Sequence, residues 1–114
     1  HFFKNFESED FLKLLIKSSC IVGNSSVAIR ECAFLGVPAV DIGDRQKNRI
    51  KGSNVISVRN SKKEIIKAIR EQLIVNKYPS ENIYGNGDSS KIISKIISSF
   101  EFNLNKQFVR NSIN

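Results

Sequence analysis

A short stretch near the start of the chain contains residue types that could bind a phosphate group. The apolar letters CIV are followed by GNSS at positions 23–26, and a helical pattern then runs from Val27 to about Leu35. The first N–H groups of a helix are unpaired and partly positive, and an acidic side chain in the first turn often covers them. Here the first turn reads VAI and is followed by Arg30. The pattern therefore predicts an uncovered helix end that suits a phosphate or diphosphate.

Three polar side chains at this helix end could contact a nucleotide. Ser25 or Ser26 can cap the helix, and both hydroxyls can also donate to a ligand. Glu31 would follow one turn later on the same face, and helical side chains lean toward the N-terminus. A carboxylate beside a phosphate site can accept hydrogen bonds from ribose hydroxyls. These residues therefore indicate a nucleotide-binding site. The alternative interpretation is an ordinary serine cap with an exposed Glu31.

A basic loop adds one more candidate ligand for phosphate. Gly43 ends the next apolar run, and Arg45 follows it at what would be the same edge of a sheet. An arginine there could pair with phosphate oxygens through two hydrogen bonds. We expect the neighbouring cations Lys47, Arg49 and Lys51 to keep the loop soluble rather than to contact a ligand.

Short apolar runs alternate with helical patterns along the chain. Strands are expected at residues 1–6, 20–23, 38–42 and 54–58. Helices are expected after a cap at Ser8, from Val27, after a capping box of Ser61 and Glu64, and after a cap near Asp88 or Ser89. This order predicts an α/β fold, a Rossmann-like parallel sheet with helices on both faces. In such sheets ligands bind beyond the carboxyl ends of the strands.

The length of the chain bounds its organisation. At 114 residues it is long enough for one small domain, which we place at residues 1–102, followed by a polar tail at 103–114. The chain begins with strand-like letters and contains no methionine. We therefore expect a fragment of a longer enzyme.

Composition argues against several other classes of protein. The net charge is +7, but the lysines are scattered and no aromatic residues interleave with them, so we expect no nucleic-acid partner. No apolar run is long enough to cross a bilayer. Cys20, Cys32 and one terminal histidine make no metal-binding set, so we expect neither a metal nor a cofactor. Free thiols among apolar neighbours fit a cytoplasmic protein.

The combined motif resembles a known family. The segment CIVGNSSVAIREC…LGVPAVDIGDRQKNRIKGSNVI, with NIYGNGDSSKI further on, is similar to the C-terminal domain of UDP-N-acetylglucosamine 2-epimerases, in particular the hydrolysing, sialic-acid-pathway branch. The resemblance implies one half of a two-domain enzyme of glycosyltransferase-B type, with a UDP-sugar in the cleft. It also implies that Ser25 and Ser26 hold the diphosphate, Glu31 the ribose, and Arg45 the phosphate or sugar side. Two positions depart from the family pattern, namely Ala28 in place of the usual glycine and Asp44 in place of the usual threonine.

The resemblance also implies a reaction, and it implies that the catalytic residues for that reaction lie outside this chain. In the family, UDP is eliminated from UDP-N-acetylglucosamine, and water then adds to release N-acetylmannosamine. Both steps need a general acid and base, and His1, Asp41 and Asp44 are poor candidates. We therefore expect no catalytic residue in this chain, and an absent N-terminal domain as its partner. The sugar would be N-acetylglucosamine or a diacetamido relative, and a homo-oligomer is compatible with this reading.

Two alternatives to this reading stay open at the level of the sequence. A glycosyltransferase of the same architecture would also place a nucleotide diphosphate at this helix, although the RQ-containing loop argues against it. A basic module that binds nucleic acid or another polyanion is the alternative outside the enzymes. Saturable UDP binding would distinguish the first reading from a polyanion binder, whose affinity would fall steeply with salt.

Overall fold

The structure, a computed structural model, describes residues 1–100 and is built around a three-stranded parallel sheet. The strands are β1 (Ile21–Gly23), β2 (Ala39–Ile42) and β3 (Val55–Val58), and they lie side by side in that order. These three strands confirm the ones predicted from the short apolar runs after residue 20. The fold is a Rossmann-like α/β arrangement, as predicted.

The predicted strand at residues 1–6 is wrong. These residues form no strand, and Phe3 is 66% exposed. The rings of Phe3 and Phe6 lie 4.8 Å apart, and the ring of Phe6 lies 6.4 Å from that of Phe11 in the first helix. The apolar pattern of this segment reflects local ring contacts rather than pairing with a neighbouring strand.

The helices largely follow the sequence. They are α1 (Ser8–Lys17), the short α2 (Glu31–Leu35), α3 (Lys62–Val75) and α4 (Ser89–Ser99). The chain divides after Tyr84 into two compact units, and α4 belongs to the second. The proposed domain end near residue 102 and the polar tail lie outside the described residues. Among residues 1–100, no helix combines the length and apolar character needed to cross a membrane.

Two predicted helix starts need small corrections. Ser8 is the first residue of α1 rather than its cap, a position that Glu7 takes. Ser61 caps α3 as predicted, because its hydroxyl accepts from the backbone N–H of Glu64 at 3.5 Å. The Glu64 carboxylate does not complete the reciprocal box. It accepts instead from the backbone N–H and the guanidinium of Arg59, each at 3.1 Å.

Helices cover both faces of the sheet. Ile21 packs with Leu15 of α1 and Cys32 of α2. Ile21 lies in register with Ala39, and Ala39 with Val55, so these residues share one face. The next residue of β3, Ile56, points to the other face, where it lines a small cavity together with Ala68 of α3. α1 and α2 therefore lie on one side of the sheet and α3 on the other.

A buried glutamine fixes α3 to the sheet. Gln72 is fully buried, and its Nε2 donates to the carbonyl oxygens of Ala39 at 2.7 Å and Asn54 at 2.8 Å. Its Oε1 accepts from the Tyr78 hydroxyl at 2.8 Å. Every polar atom of this buried amide group has a partner, as burial requires. One side chain thus connects the helix, β2, the residue before β3 and the segment after the helix.

Gly36 ends α2, as predicted, and allows the chain to return beside it. Its φ of 66° is left-handed, and a Cβ at this position would lie 2.1 Å from the carbonyl oxygen of Tyr78. The backbone N–H of Tyr78 donates to the Gly36 carbonyl at 3.0 Å. A side chain at residue 36 would therefore be both strained and in collision.

The returning segment also anchors the loop before β3. Glu81 donates its backbone N–H to Ala33 in α2 at 3.0 Å. Its carboxylate accepts from the hydroxyl of Ser53 and from the Ser53 backbone N–H, the latter at 2.9 Å. These two hydrogen bonds lower the pKa of Glu81, because they stabilise its charged form.

Both cysteines are free thiols, and Cys32 packs in the core cluster on the α1 and α2 side of the sheet. Cys32 is fully buried, and Cys20 is partly buried. Burial, followed by the nearby negative charge of Glu31 and by Cys20, raises the pKa of Cys32 to about 12. Burial also raises the pKa of Cys20. A neutral, buried thiol behaves as a small apolar side chain.

Candidate functional site

The carboxyl ends of β1 and β2 leave open space at the edge of the sheet. Gly23 ends β1 and lies in register with Asp41, while Gly43 follows β2. A Cβ built at either glycine would meet no atom within 4 Å. A ligand could therefore approach the backbone closely at both strand ends.

The turn after β1 is capped by a serine, as predicted. Ser25 precedes a 3₁₀ turn at Ser26–Ala28, and its hydroxyl oxygen accepts from the Val27 backbone N–H at 3.4 Å. No acidic residue lies in that first turn. The uncovered turn is thus present, although Ser25 already engages one of its N–H groups.

The single helix predicted from Val27 to about Leu35 is wrong. The 3₁₀ turn ends at Ala28, and α2 begins only at Glu31. The Asn54 side chain donates to the Ala28 carbonyl at 3.1 Å and to the Val37 carbonyl at 2.9 Å. An uninterrupted helix would use the Ala28 carbonyl for its own ladder. Asn54, far along the sequence, therefore favours the break.

Glu31 occupies the first position of α2. Its side chain is partly buried, and its Oε2 atom is buried without a hydrogen-bond partner among residues 1–100. The alternative of a simply exposed Glu31 is therefore wrong. The helical argument that placed it one turn after Val27 also fails, because the helix is broken between them. A buried carboxylate oxygen without a donor is suited to accept a hydrogen bond from a ligand.

Ala28 and Asp44, the two departures from the family pattern, occupy different environments. Ala28 is 1% exposed, and the protein itself covers its methyl group. Asp44 is exposed in the loop after β2, where its carbonyl accepts from the Lys47 backbone N–H at 3.1 Å. The extra methyl of Ala28 therefore points into the core rather than into the open space at the sheet edge.

A residue that the sequence analysis missed brings the two candidate segments together. Gln46 is only 3% exposed, and its Nε2 donates to the Asn24 carbonyl at 2.9 Å. Gln46 directly follows the exposed Arg45, and Asn24 directly precedes Ser25. The loop after β2 therefore lies against the turn after β1. The basic run DRQKNR contains two uncharged amides, Gln46 and Asn48, and nothing in the sequence distinguishes the buried one from the exposed one.

A buried ion pair lies at the same edge, and the sequence analysis missed it as well. Asp41 is fully buried, and its Oδ2 lies 2.8 Å from the Lys51 ammonium. Lys51 also donates to the Ser57 hydroxyl at 2.7 Å. The expectation that Lys51 only keeps the loop soluble is therefore wrong. The partners are ten positions apart in the sequence, on either side of the loop after β2, so no short spacing indicates the pair.

The arrangement offers hydrogen-bond and charge chemistry rather than metal chemistry. Within residues 1–100, no group of three or more histidine, cysteine, aspartate or glutamate side chains could hold a metal ion. The polar groups that the structure brings to this edge include the capped turn at Ser25 and Ser26, the loop that contains Arg45, and the Asp41–Lys51 pair. The N–H groups of the turn and the guanidinium of Arg45 can donate to an anion.

Comparisons with known proteins show which sequences this chain is similar to. Residues 1–98 match the family model described as UDP-N-acetylglucosamine 2-epimerase. The chain is 37% identical over 87 residues to a UDP-N-acetylglucosamine 2-epimerase of Neisseria meningitidis serogroup B, which covers 76% of this chain and 23% of the relative. It is 33% identical over 108 residues to the polysialic acid biosynthesis protein P7 of Escherichia coli, covering 91% of this chain and 28% of the relative.

A third relative differs in the sugar that its name specifies. It is a hydrolysing UDP-N,N'-diacetylbacillosamine 2-epimerase of Legionella pneumophila, 34% identical over 88 residues, which cover 77% of this chain and 23% of the relative. The chain spans about a quarter of the length of these curated relatives. With the parallel sheet and the matched residues 1–98 taken together, the chain belongs to the UDP-N-acetylglucosamine 2-epimerase family.

Proposed function

We propose that this chain is the UDP-binding, C-terminal portion of a hydrolysing UDP-N-acetylglucosamine 2-epimerase. The whole enzyme would eliminate UDP from the UDP-sugar and add water to release N-acetylmannosamine. The general acid and base would come from an N-terminal domain, so the chain alone would not turn over substrate. The sugar is N-acetylglucosamine or a diacetamido relative, since the names of the relatives include both kinds. The enzyme would act in the cytoplasm.

One observation supports this proposal more than any other. The hydrogen bond from Gln46 to the Asn24 carbonyl joins the turn after β1 to the loop after β2. Ser25 directly follows Asn24 in the chain, and Arg45 directly precedes Gln46. The two segments that would contact a diphosphate are thus adjacent at the carboxyl edge of the sheet, where ligands of such sheets bind.

Each proposed ligand contact follows from the chemistry of its side chain. Ser25 and Ser26 would donate to the diphosphate together with the N–H groups of the turn. Glu31 would accept from the ribose hydroxyls, which would satisfy its unpartnered Oε2. Arg45 would pair with the phosphate or sugar side, and its exposure leaves the guanidinium able to reach a ligand.

Calorimetric titration of the chain with UDP and with inorganic diphosphate tests the proposal. Glu31→Gln should weaken UDP binding by about 1.5–3 kcal/mol, the scale of a hydrogen bond to a charged group, and should affect diphosphate much less. Glu71→Gln, at an exposed position of α3, is the matched control. Equal losses for both ligands would show that Glu31 does not meet the ribose.

A second pair of variants tests the loop. Arg45→Ala should weaken both UDP and diphosphate, because both contain the phosphate groups. Arg49→Ala removes the same charge from the same loop at another exposed position and should change both affinities less. UDP binding that saturates one site is expected. Weak binding that follows only salt concentration and accepts any polyanion would overturn the proposal.

A further inference from the structure

We propose that Lys51 is a positioning residue for anion binding, because it neutralises a buried carboxylate directly beside the phosphate-binding turn. The inference rests on the proposed function, since it concerns the same UDP diphosphate. Lys51 itself would not touch the ligand. It would act through Asp41, whose charge would otherwise repel the diphosphate.

The register of the sheet places Asp41 next to the turn. Asp41 lies opposite Gly23 on one side and opposite Ser57 on the other. Adjacent strands lie about 4.8 Å apart, so the Asp41 backbone neighbours the last residue of β1. Gly23 leads directly into Asn24 and Ser25, and it has no side chain to stand between them and the carboxylate.

The carboxylate of Asp41 is buried and asymmetrically paired. Its Oδ2 contacts the Lys51 ammonium at 2.8 Å and lies 3.5 Å from the Ser57 hydroxyl. Its Oδ1 is buried without a hydrogen-bond partner among the described residues. Lys51 therefore supplies the positive charge that directly opposes this group. An unpaired buried carboxylate interacts over longer distances than an exposed one, because solvent screens it less.

The surroundings of Lys51 contain charges of both signs that largely balance. The Lys51 side chain is 20% exposed and lines an open cavity of about 370 Å³ at the carboxyl ends of β2 and β3. The other charged residues that line this cavity are Asp44, Lys47, Arg59 and Glu64. Two of these are basic and two acidic, and Arg59 and Glu64 are paired with each other. The Asp41–Lys51 pair is the ion pair that the register of the sheet places beside Gly23.

Lys51 also holds one end of the loop that contains Arg45. Gln46 attaches that loop to Asn24, and Lys51 attaches it to the sheet. A loss of affinity on removing Lys51 could therefore arise from a displaced loop as well as from an unopposed charge. The test must separate the two, and the sign of the effect of a change at Asp41 does so.

The decisive experiment measures UDP and diphosphate affinity for a charge cycle. Lys51→Met leaves a net negative charge and should weaken both ligands roughly tenfold, the scale of a unit charge acting from about 12 Å near a protein surface. Asp41→Asn leaves a net positive charge and keeps an acceptor for Lys51, so it should tighten both ligands. The double variant should return to within about threefold of the unmodified chain, and Lys51→Arg should retain affinity.

The alternatives are distinguishable from one another. Lys63→Met removes a cation at an exposed position of α3 and should leave affinity nearly unchanged. If Asp41→Asn weakens binding as Lys51→Met does, the pair acts as a loop anchor and the inference is overturned. If Lys51→Met does not fold, tighter binding by Asp41→Asn supports the inference, and unchanged or weaker binding overturns it. If the unmodified chain binds neither ligand, the proposed function itself fails.

Discussion

Gln46 offers a sharp test of the contact between the two candidate segments. Its Nε2 donates to the Asn24 carbonyl at 2.9 Å, while its Oε1 is buried without a partner among the described residues. Gln46→Met keeps the size of the side chain but removes both atoms. The lost hydrogen bond is worth about 0.5–1.5 kcal/mol, and the removed unsatisfied oxygen had cost about 1–3 kcal/mol. The free energy of unfolding should therefore stay unchanged or rise slightly.

The affinity for UDP should move the other way in the same variant. Without the bond to Asn24, the loop containing Arg45 loses an attachment to the turn. The loss is bounded by the net worth of one hydrogen bond, about 0.5–1.5 kcal/mol, or roughly 2- to 12-fold in affinity. Calorimetric titration gives the affinity, and denaturant unfolding gives the stability of the same preparation.

Gln46→Glu supplies the contrasting change. A carboxylate oxygen would replace Nε2 and face the Asn24 carbonyl, and a buried charge would lack a partner. This variant should lose at least about 3 kcal/mol of unfolding free energy. Asn48→Asp makes the same amide-to-acid change at an exposed position of the same loop and should stay within about 0.5 kcal/mol. If Gln46→Glu is tolerated as well as Asn48→Asp, Gln46 is not buried against the turn and the reasoning is refuted.

Three further outcomes can be measured on the same chain. Gly36→Ala should cost about 1–3 kcal/mol more in unfolding free energy than Gly43→Ala, because both have positive φ but only a Cβ at residue 36 meets a backbone carbonyl; equal losses would contradict this. The hydrogen bonds from Ser53 lower the pKa of Glu81, so they stabilise the fold fully at a pH above the pKa of Glu81 in the unfolded chain, and this stabilisation is lost as pH falls through the lower pKa of the folded chain. The difference in unfolding free energy between the unmodified chain and Glu81→Gln should therefore shrink in acid. A difference that does not change with pH would speak against these bonds. Cys32, with its pKa near 12, should react with a thiol reagent at pH 8 much more slowly than Cys20, and both should react alike in denaturant; equal rates in the folded state would exclude the burial seen here.

The elements that the sequence predicted well are those with a local cause. Short apolar runs indicated all three strands of the sheet, two of them bounded by glycine or proline and the third preceded by a polar loop. A serine cap indicated the start of α3, and Gly36 indicated the end of α2, because both act within a few residues. The strand proposed for residues 1–6 failed, since an apolar pattern does not reveal whether a partner strand lies beside it.

The parts of the site that the sequence did not reveal depend on distant partners. The helix predicted from Val27 breaks where Asn54 engages the Ala28 carbonyl, 26 residues away. The bond from Gln46 spans 22 residues, and the ion pair of Lys51 crosses a loop. The partners of each contact meet only because the folded sheet brings distant parts of the chain together. The roles of Ser25, Ser26, Glu31 and Arg45 toward a ligand stay predictions.

The buried amide of Gln72 has a consequence for how the molecule opens. Because Gln72 is bonded to Ala39, Asn54 and Tyr78 at once, α3 detaches only if three side-chain hydrogen bonds break together, two of them to backbone carbonyls at the sheet. The sheet, the helix and the returning segment should therefore open only as one cooperative unit, with slow amide hydrogen exchange throughout. The loop after β2 is outside that unit and can exchange through smaller openings. A ligand could thus enter and leave through local opening of the loop after β2, while the sheet and α3 stay folded.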